Sequence, residues 1–267
     1  MSDVSSGFLS HGIPYMALGA GPPLVKVEGL TPTHDVPKGG MQRMYLSTAK
    51  PLSGHFRVYW VNRKKGLRPG ESMSDIAGHL AAAIEEEIGE PVFLTGESTG
   101  GSVVLQLAVD RPDLVRALVV VAAAHCLGPK GHAMQQEMAR SVRAGDYAGG
   151  MARMVTELMV PAPLRAPARP LARAAWRSMT PDDPTDLLVT LDAEEVFDVG
   201  DQLHRITAPT LVIGGVKDSY YSVELFEQTA AGVKDGRAHI YPHWGHMRTC
   251  MSSTTTNLML GFMLAAR

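Results

Sequence analysis

The sequence predicts an α/β fold: a mostly parallel, doubly wound sheet that carries a helical insertion. Three observations lead there. Six short apolar runs rich in β-branched residues are spread along the chain, namely PLVKV (23–27), FRVYWV (56–61), PVFLT (91–95), ALVVVA (117–122), TLVIG (210–214) and AHIY (238–241). Their length and composition mark strands buried on both faces. Helix-like segments lie between several of them, the alternation that builds a parallel sheet covered on both sides. Finally, the strand pattern stops from about residue 128 to 200 and resumes at Pro209.

Each element has a local reason. Residues 74–89 place Ile76, Ala77, Leu80, Ala81, Ile84 and Ile88 on one stripe, as an amphipathic helix does. Ser72 followed three residues later by Asp75 is a helix-start arrangement. Residues 99–110 form a second helix, ended by Pro112. Residues 131–159 read as helical, with Met134, Met138, Met151, Met154, Leu158 and Met159 on the apolar side. PAPLRAPARP (161–170) reads as a proline-rich break, followed by short helices at 171–179 and 183–197. A terminal helix is expected at about 252–265. The division expected is a core formed by residues 1–127 and 201–267, interrupted by an insertion at 128–200.

Composition narrows the class. The chain has 267 residues, 45% of them hydrophobic, enough for one domain with a sizeable core. A net charge of −2 gives no footprint for nucleic acid, and no apolar run is long enough to insert into a bilayer. The opening MSDVSSGFLSHG has no basic stretch followed by a long apolar one, so no export signal is read and the expected location is cytoplasmic. Cys126 and Cys250 lack metal-like spacing and read as ordinary reduced thiols. The fifteen methionines read as core filler and also as an adaptable apolar binding surface.

The chemistry-bearing stretch is GESTGG, residues 96–101, between a strand run and a helix run. It fits G-x-S-x-G, the turn that lifts a serine hydroxyl above a sheet edge. Its glycines let strand and helix backbones approach closely, and the helix N-terminus behind the serine favours developing negative charge. A serine needs a base oriented by a third group. Asp218 follows the strand run TLVIGGVKD, and His246 lies in YPHWGHM after the last strand run. Both therefore fall at strand carboxyl ends, where open α/β sheets bind ligands.

With PLVKVEG, GESTGG, APTLVIGGVKD and YPHWGHM in place, the chain resembles the α/β-hydrolase superfamily over nearly its whole length, with the insertion where that family carries its cap. The resemblance implies Ser98 as nucleophile, His246 as general base and Asp218 as orienting acid. His243, Asp198 and Asp201 are the rivals by position. It also implies an oxyanion hole made by the backbone N–H of Thr99 and of Leu30, with Thr31 the alternative to Leu30. The family's His-Gly is replaced here by Glu28-Gly29, and Glu28 is expected to turn away and bond to loop backbone. Glu28, Thr31, Glu97 and His125 are candidate pocket residues, and His34 could touch substrate. His11, His55, His79, His132, His204 and His239 are given no role. Arg63, Lys64, Lys65 and Arg68 read as a solvated basic loop, or as an attractor of an anionic substrate.

The implied reaction is acyl transfer to water without metal or organic cofactor, on a small-molecule, apolar acyl substrate. A carboxylic ester is the favoured substrate, because it demands least beyond the triad; a thioesterase or lactonase of a biosynthetic pathway is the alternative. An aspartate-elbow chemistry, as in haloalkane dehalogenases and epoxide hydrolases, is excluded by the serine. A non-catalytic binder of a small apolar ligand and a lyase are the readings from other classes.

Overall fold

The computed structural model describes residues 4–266. Among these, eight strands form one sheet: β1 (Ser5–Leu9), β2 (Ile13–Leu18), β3 (Pro23–Val27), β4 (Arg57–Val61), β5 (Val92–Glu97), β6 (Val115–Val121), β7 (Thr210–Gly215) and β8 (Gly236–Tyr241). Their spatial order is β1-β2-β4-β3-β5-β6-β7-β8. The pairs β1/β2 and β2/β4 are antiparallel and the other five are parallel. Helices α1 (Gly39–Ala49), α2 (Met73–Glu87) and α3 (Thr99–Asp110) alternate with the first strands. Four helices follow β6: α4 (Pro129–Arg143), α5 (Tyr147–Met159), α6 (Ala162–Arg177) and α7 (Thr185–Glu195). The chain ends with α8 (Val223–Ala231), α9 (His246–Met251) and α10 (Ser253–Ala265).

Strand alternation divides the core into two layers. Leu94 joins the layer formed with Ile76 and Leu80 of α2, Val104 of α3 and Phe226 of α8. Its neighbour Phe93 faces the other way, towards Ala49 of α1 and Met259 and Met263 of α10. This is the covering of both faces that a parallel sheet needs. A third, smaller apolar cluster lies within α4–α7, from Met138, Val142, Tyr147, Met151, Leu187 and Leu191; Leu30 from the core packs against it. The segment leaves and rejoins the core at one point: Cys126 and Asp198 pair as an isolated antiparallel bridge, and Val199 N–H donates to the His125 carbonyl at 3.0 Å. No helix among the described residues is long and apolar enough to cross a membrane.

Several elements differ from the sequence reading. The hairpin β1–β2 was not expected. Ser5, Ser6 and Gly7 have weak strand propensity, and β1 is a largely exposed edge held by its pairing with β2. The helical stretch at 131–159 is two helices. Gly145 takes a left-handed φ of 77°, and the Asp146 side chain accepts from Gly149 N–H to start α5. The proline-rich stretch 161–170 is not a break but the first half of α6, with Pro167 and Pro170 inside it. Prolines in a helix interior forfeit hydrogen bonds. Here the freed carbonyls reach water, because α6 buries none of its residues. Arg165 to Glu157 and the Val160 carbonyl, and Arg173 to Asp146, tie α6 to α5. The Ser72–Asp75 start of α2 is a complete capping box: Ser72 N–H donates to Asp75 at 2.8 Å and Asp75 N–H to Ser72 Oγ at 3.2 Å.

Candidate active site

Gly96, Ser98 and Gly100 form a sharp turn between β5 and α3. Ser98 sits at φ 52°, ψ −127°, a region costly for a residue with a side chain. Its flanks have no room for a Cβ: one on Gly96 would strike the Gly100 carbonyl, and one on Gly100 the carbonyls of Val27 and Glu28. The close approach of β3, β5 and α3 therefore fixes the glycines, and the turn leaves Ser98 partly exposed.

His246 begins α9 and Asp218 lies just past β7. The His246 Nε2 is 3.0 Å from Ser98 Oγ, and its Nδ1 is 2.9 Å from Asp218 Oδ2. The His246 and Asp218 side chains are buried, at 3% and 0% exposure. A carboxylate facing Nδ1 selects the tautomer with hydrogen there, which leaves Nε2 to accept from the serine. Asp218 is itself held by the N–H groups of Tyr220 (2.8 Å) and Tyr221 (3.2 Å). The two tyrosine rings flank the imidazole, with centroids 5.2 and 6.3 Å away. The rivals stand elsewhere. Asp198 accepts from Gly200 N–H, and Asp201 and His243 are exposed.

The loop after β3 lies against the serine. A Cβ on Gly29 would be 3.5 Å from Ser98 Cβ and 3.3 Å from the Glu97 carbonyl. Glu28 turns its carboxylate back into its own loop, where it accepts from Gly29 N–H (3.1 Å) and from the Trp60 indole (2.7 Å). Thr31 is likewise committed to the loop: its hydroxyl donates to the Thr33 carbonyl and accepts from Asn62 at 2.8 Å. Glu97 packs into the core beside Lys26, with Nζ to Oε1 at 2.5 Å. Burial works against the Lys26 charge, but the carboxylates of Glu97 and Glu28 outweigh it and hold the ammonium above its ordinary value.

The basic run is corrected by the fold. Arg63 is 2% exposed, while Lys65 and Arg68 are exposed and paired with Asp35 and Glu71. The run is therefore not uniformly solvated. Its first member is a core residue, because the chain leaving β4 stays buried through Asn62 and Arg63. His34 is buried too; it donates from Nδ1 to the Lys64 carbonyl at 2.9 Å and accepts from Arg63 Nε at 3.2 Å. Burial and the Arg63 charge push its imidazole down to about 3. His125 is half-buried, with its N–H donating to Thr229 Oγ1 at 2.9 Å. Its ring, the Cys126 thiol and the Asp198 carboxylate bring ligand-type atoms within 4.8 Å of one another. Spacing could not reveal that group, since Asp198 arrives from the far end of the insertion.

Two further residues escaped the sequence reading. Glu194 of α7 is buried and accepts from Thr99 Oγ1 (2.8 Å), Ser102 Oγ (2.9 Å) and Gln135 Nε2 (2.8 Å), joining the insertion to the head of α3. No local signal distinguishes it within LDAEE. Lys26 did carry a signal, as one charge inside a strand otherwise buried on both faces. A cavity of about 610 Å³ opens beside the 28–31 loop, with Thr31, Tyr45, Trp60, Asn62 and Met179 in its walls.

Comparison with known proteins agrees with this anatomy. A family described as serine aminopeptidase, S33, matches residues 68–249. A protein of Variovorax paradoxus (strain S110) named as a candidate carbamate hydrolase, RutD, is 27% identical over 223 residues, 80% of this chain and 82% of its own. A pimeloyl-[acyl-carrier protein] methyl ester esterase of Nitrosomonas europaea is 23% identical, over 85% of this chain and 90% of its own. The crystal structure of a hydrolase from Pseudomonas aeruginosa PA01 superposes with a TM-score of 0.75 at 23% identity, covering 99% of this chain and 98% of that one. The family match spans well over half the chain and contains the elbow, Asp218 and His246, so this protein is a hydrolase of the α/β-hydrolase fold and belongs to the serine aminopeptidase S33 family.

Proposed function

We propose that the protein hydrolyses a carboxylic ester of a small, apolar acyl substrate through an acyl-enzyme on Ser98. The observation that carries the reading is the continuous relay from Ser98 Oγ to His246 Nε2 (3.0 Å) and from His246 Nδ1 to Asp218 (2.9 Å), set at a strained turn. Ser98 attacks the ester carbonyl as His246 takes its proton. Asp218 holds the imidazole tautomer and stabilises the imidazolium. The N–H groups of Thr99 and Leu30 receive the oxyanion. His246 returns the proton to the departing alcohol, then activates water to free the acid. The helices α4–α7 act as the cap, packed around their own apolar cluster of Met138, Met151 and Tyr147.

A carbamate is the second substrate class, favoured by the name of the Variovorax relative. Its carbonyl would meet the same nucleophile and the same donors. The test is a burst assay on wild type and Ser98→Ala with chromogenic acyl esters, carbamates, thioesters and an aminoacyl anilide. Turnover of esters by wild type, with Ser98→Ala near background, is the expected result. Ester turnover that survives in Ser98→Ala would sink the mechanism. A preference for carbamates over esters would move the assignment to the second class.

A further inference from the structure

We propose that Arg63 is the positioning residue that sets the Gly29–Leu30 peptide plane, so that the Leu30 N–H and not the Gly29 carbonyl faces an oxyanion formed at Ser98. The proposal rests on the reading of Ser98 as nucleophile. Its structural basis is a set of four hydrogen bonds. Arg63 Nη1 donates to the Glu28 carbonyl at 3.0 Å and Nη2 to the Gly29 carbonyl at 2.9 Å. Nη2 also reaches Thr31 Oγ1 at 3.3 Å, and Nε reaches His34 Nε2 at 3.2 Å. One guanidinium therefore grips two successive carbonyls and two side chains of the same loop.

The consequence follows from peptide geometry. The C=O and N–H of a trans peptide point to opposite sides, and the described chain contains no cis bond. Arg63 holds the Gly29 carbonyl, so the Leu30 N–H of that plane is directed the other way. The preceding plane behaves alike: its carbonyl is on Arg63, and its N–H, from Gly29, is directed to the Glu28 carboxylate. A Cβ placed on Gly29 would contact Glu97 and Ser98 of the elbow turn. Glycine has little intrinsic resistance to a peptide flip. A flip at Gly29–Leu30 would aim a carbonyl oxygen at the developing negative charge and turn a stabilising donor into a repulsive dipole. Arg63 opposes that flip.

The chemistry of the grip suits arginine in particular. Its planar fork spans two acceptors at once, which a lysine ammonium on a flexible stem does not reproduce. The four acceptors are all neutral groups, so this buried cation is held without a hydrogen-bonded carboxylate, a costly arrangement. His34 completes it. Its Nδ1–H is fixed on the Lys64 carbonyl, which leaves Nε2 free to accept from Arg63.

The test compares wild type, Arg63→Lys and Arg63→Ala in ester turnover and in affinity for an alkyl boronic acid, which forms a tetrahedral adduct with an active-site serine. Both variants are expected to lose about 10²–10³-fold in kcat, the loss typical of one oxyanion donor, with KM within a few-fold of wild type. Boronate affinity should fall in parallel, and millimolar guanidinium should partly restore Arg63→Ala. Folded variants with wild-type kcat and boronate affinity would overturn the proposal. So would a rise in KM with boronate affinity intact. Where the variants do not fold, wild type decides: the NMR coupling across the hydrogen bond from Arg63 to the Gly29 carbonyl should be present and persist in the boronate adduct, and its absence overturns the proposal. Ser98→Ala run alongside separates the two readings. Full turnover in that variant rejects Ser98 as nucleophile, while the coupling still reports whether Arg63 sets the plane.

Discussion

The Glu194 carboxylate accepts a 2.8 Å hydrogen bond from Thr99 Oγ1, the hydroxyl of the residue that directly follows the elbow serine. A side chain of the helical segment is thus fastened to the first turn of α3. Ser102 and Gln135 donate to the same carboxylate. Removing it strands three donors in a buried place. Glu194→Ala is expected to lose on the order of 2–4 kcal/mol of stability and at least tenfold in kcat, as Thr99 loosens. Glu194→Gln keeps the shape, and the hydroxyls can turn to accept from its amide, so it should stay within about 1 kcal/mol of wild type. Denaturant unfolding and steady-state kinetics on the two variants check this. Wild-type stability in Glu194→Ala would show that the contact fastens nothing.

His34 gives the protein a defined sensitivity to acid. Its folded imidazole is held neutral down to about 3, against an ordinary 6.5, by burial and by Arg63. Between those values the unfolded chain binds a proton that the folded one refuses. The contribution is therefore complete above pH 6.5 and is lost as pH falls towards 3, by about 1.4 kcal/mol per pH unit at the steepest. Going from pH 7 to 5 should cost wild type on the order of 2 kcal/mol more than it costs His34→Gln. Urea unfolding at the two pH values measures the difference. Parallel losses in both proteins would remove His34 as the cause.

The residues of the candidate site were legible to different degrees, and the reason is physical. Ser98, Asp218 and His246 each follow a strand, and strand ends are marked locally by β-branched runs and glycines. The prolines at 167 and 170 misled, because the rule that they break helices presumes a buried or unsupported helix. Here an exposed helix is braced by Arg165 and Arg173. Arg63 was misread because a basic run looks solvated, and only the buried path of the chain leaving β4 shows that one of its members is in the core. Glu194 had no signal at all; its role arises where α7 meets α3, at a separation of 95 positions from Thr99. Local pattern finds the groups on the sheet edge. Groups delivered by a separate helical layer need the fold.

The elbow glycines should divide sharply from a glycine elsewhere. A methyl on Gly100 would overlap the Val27 and Glu28 carbonyls, which belong to paired strand and loop backbone and cannot move aside. Gly100→Ala is expected to lose more than about 3 kcal/mol or to be recovered unfolded. Gly261 is exposed inside α10, and a Cβ there meets nothing within 4 Å. Gly261→Ala should gain about 0.5–1 kcal/mol through helix propensity. Thermal melts of the two single variants decide it, and equal effects would mean that the crowding at the elbow is not what fixes Gly100.

Lys26 of β3 and Glu97, the residue before Ser98, form a buried ion pair at 2.5 Å, with side-chain exposures of 1% and 10%. Such a pair is costly to desolvate, so its presence alone argues little for stability. Its removal one side at a time is another matter, since the survivor is left in the core without its partner, and burial already pushes the Glu97 carboxyl up. Each single substitution, Lys26→Met and Glu97→Leu, should therefore cost about 3–5 kcal/mol. The double variant replaces both groups with apolar volume and should cost much less than the sum, and less than either single change. Denaturant unfolding of wild type, both singles and the double closes the cycle, with an expected coupling of at least about 2 kcal/mol. Additive losses would mean that the two charges are solvated independently, and that the turn bearing Ser98 does not rest on their attraction.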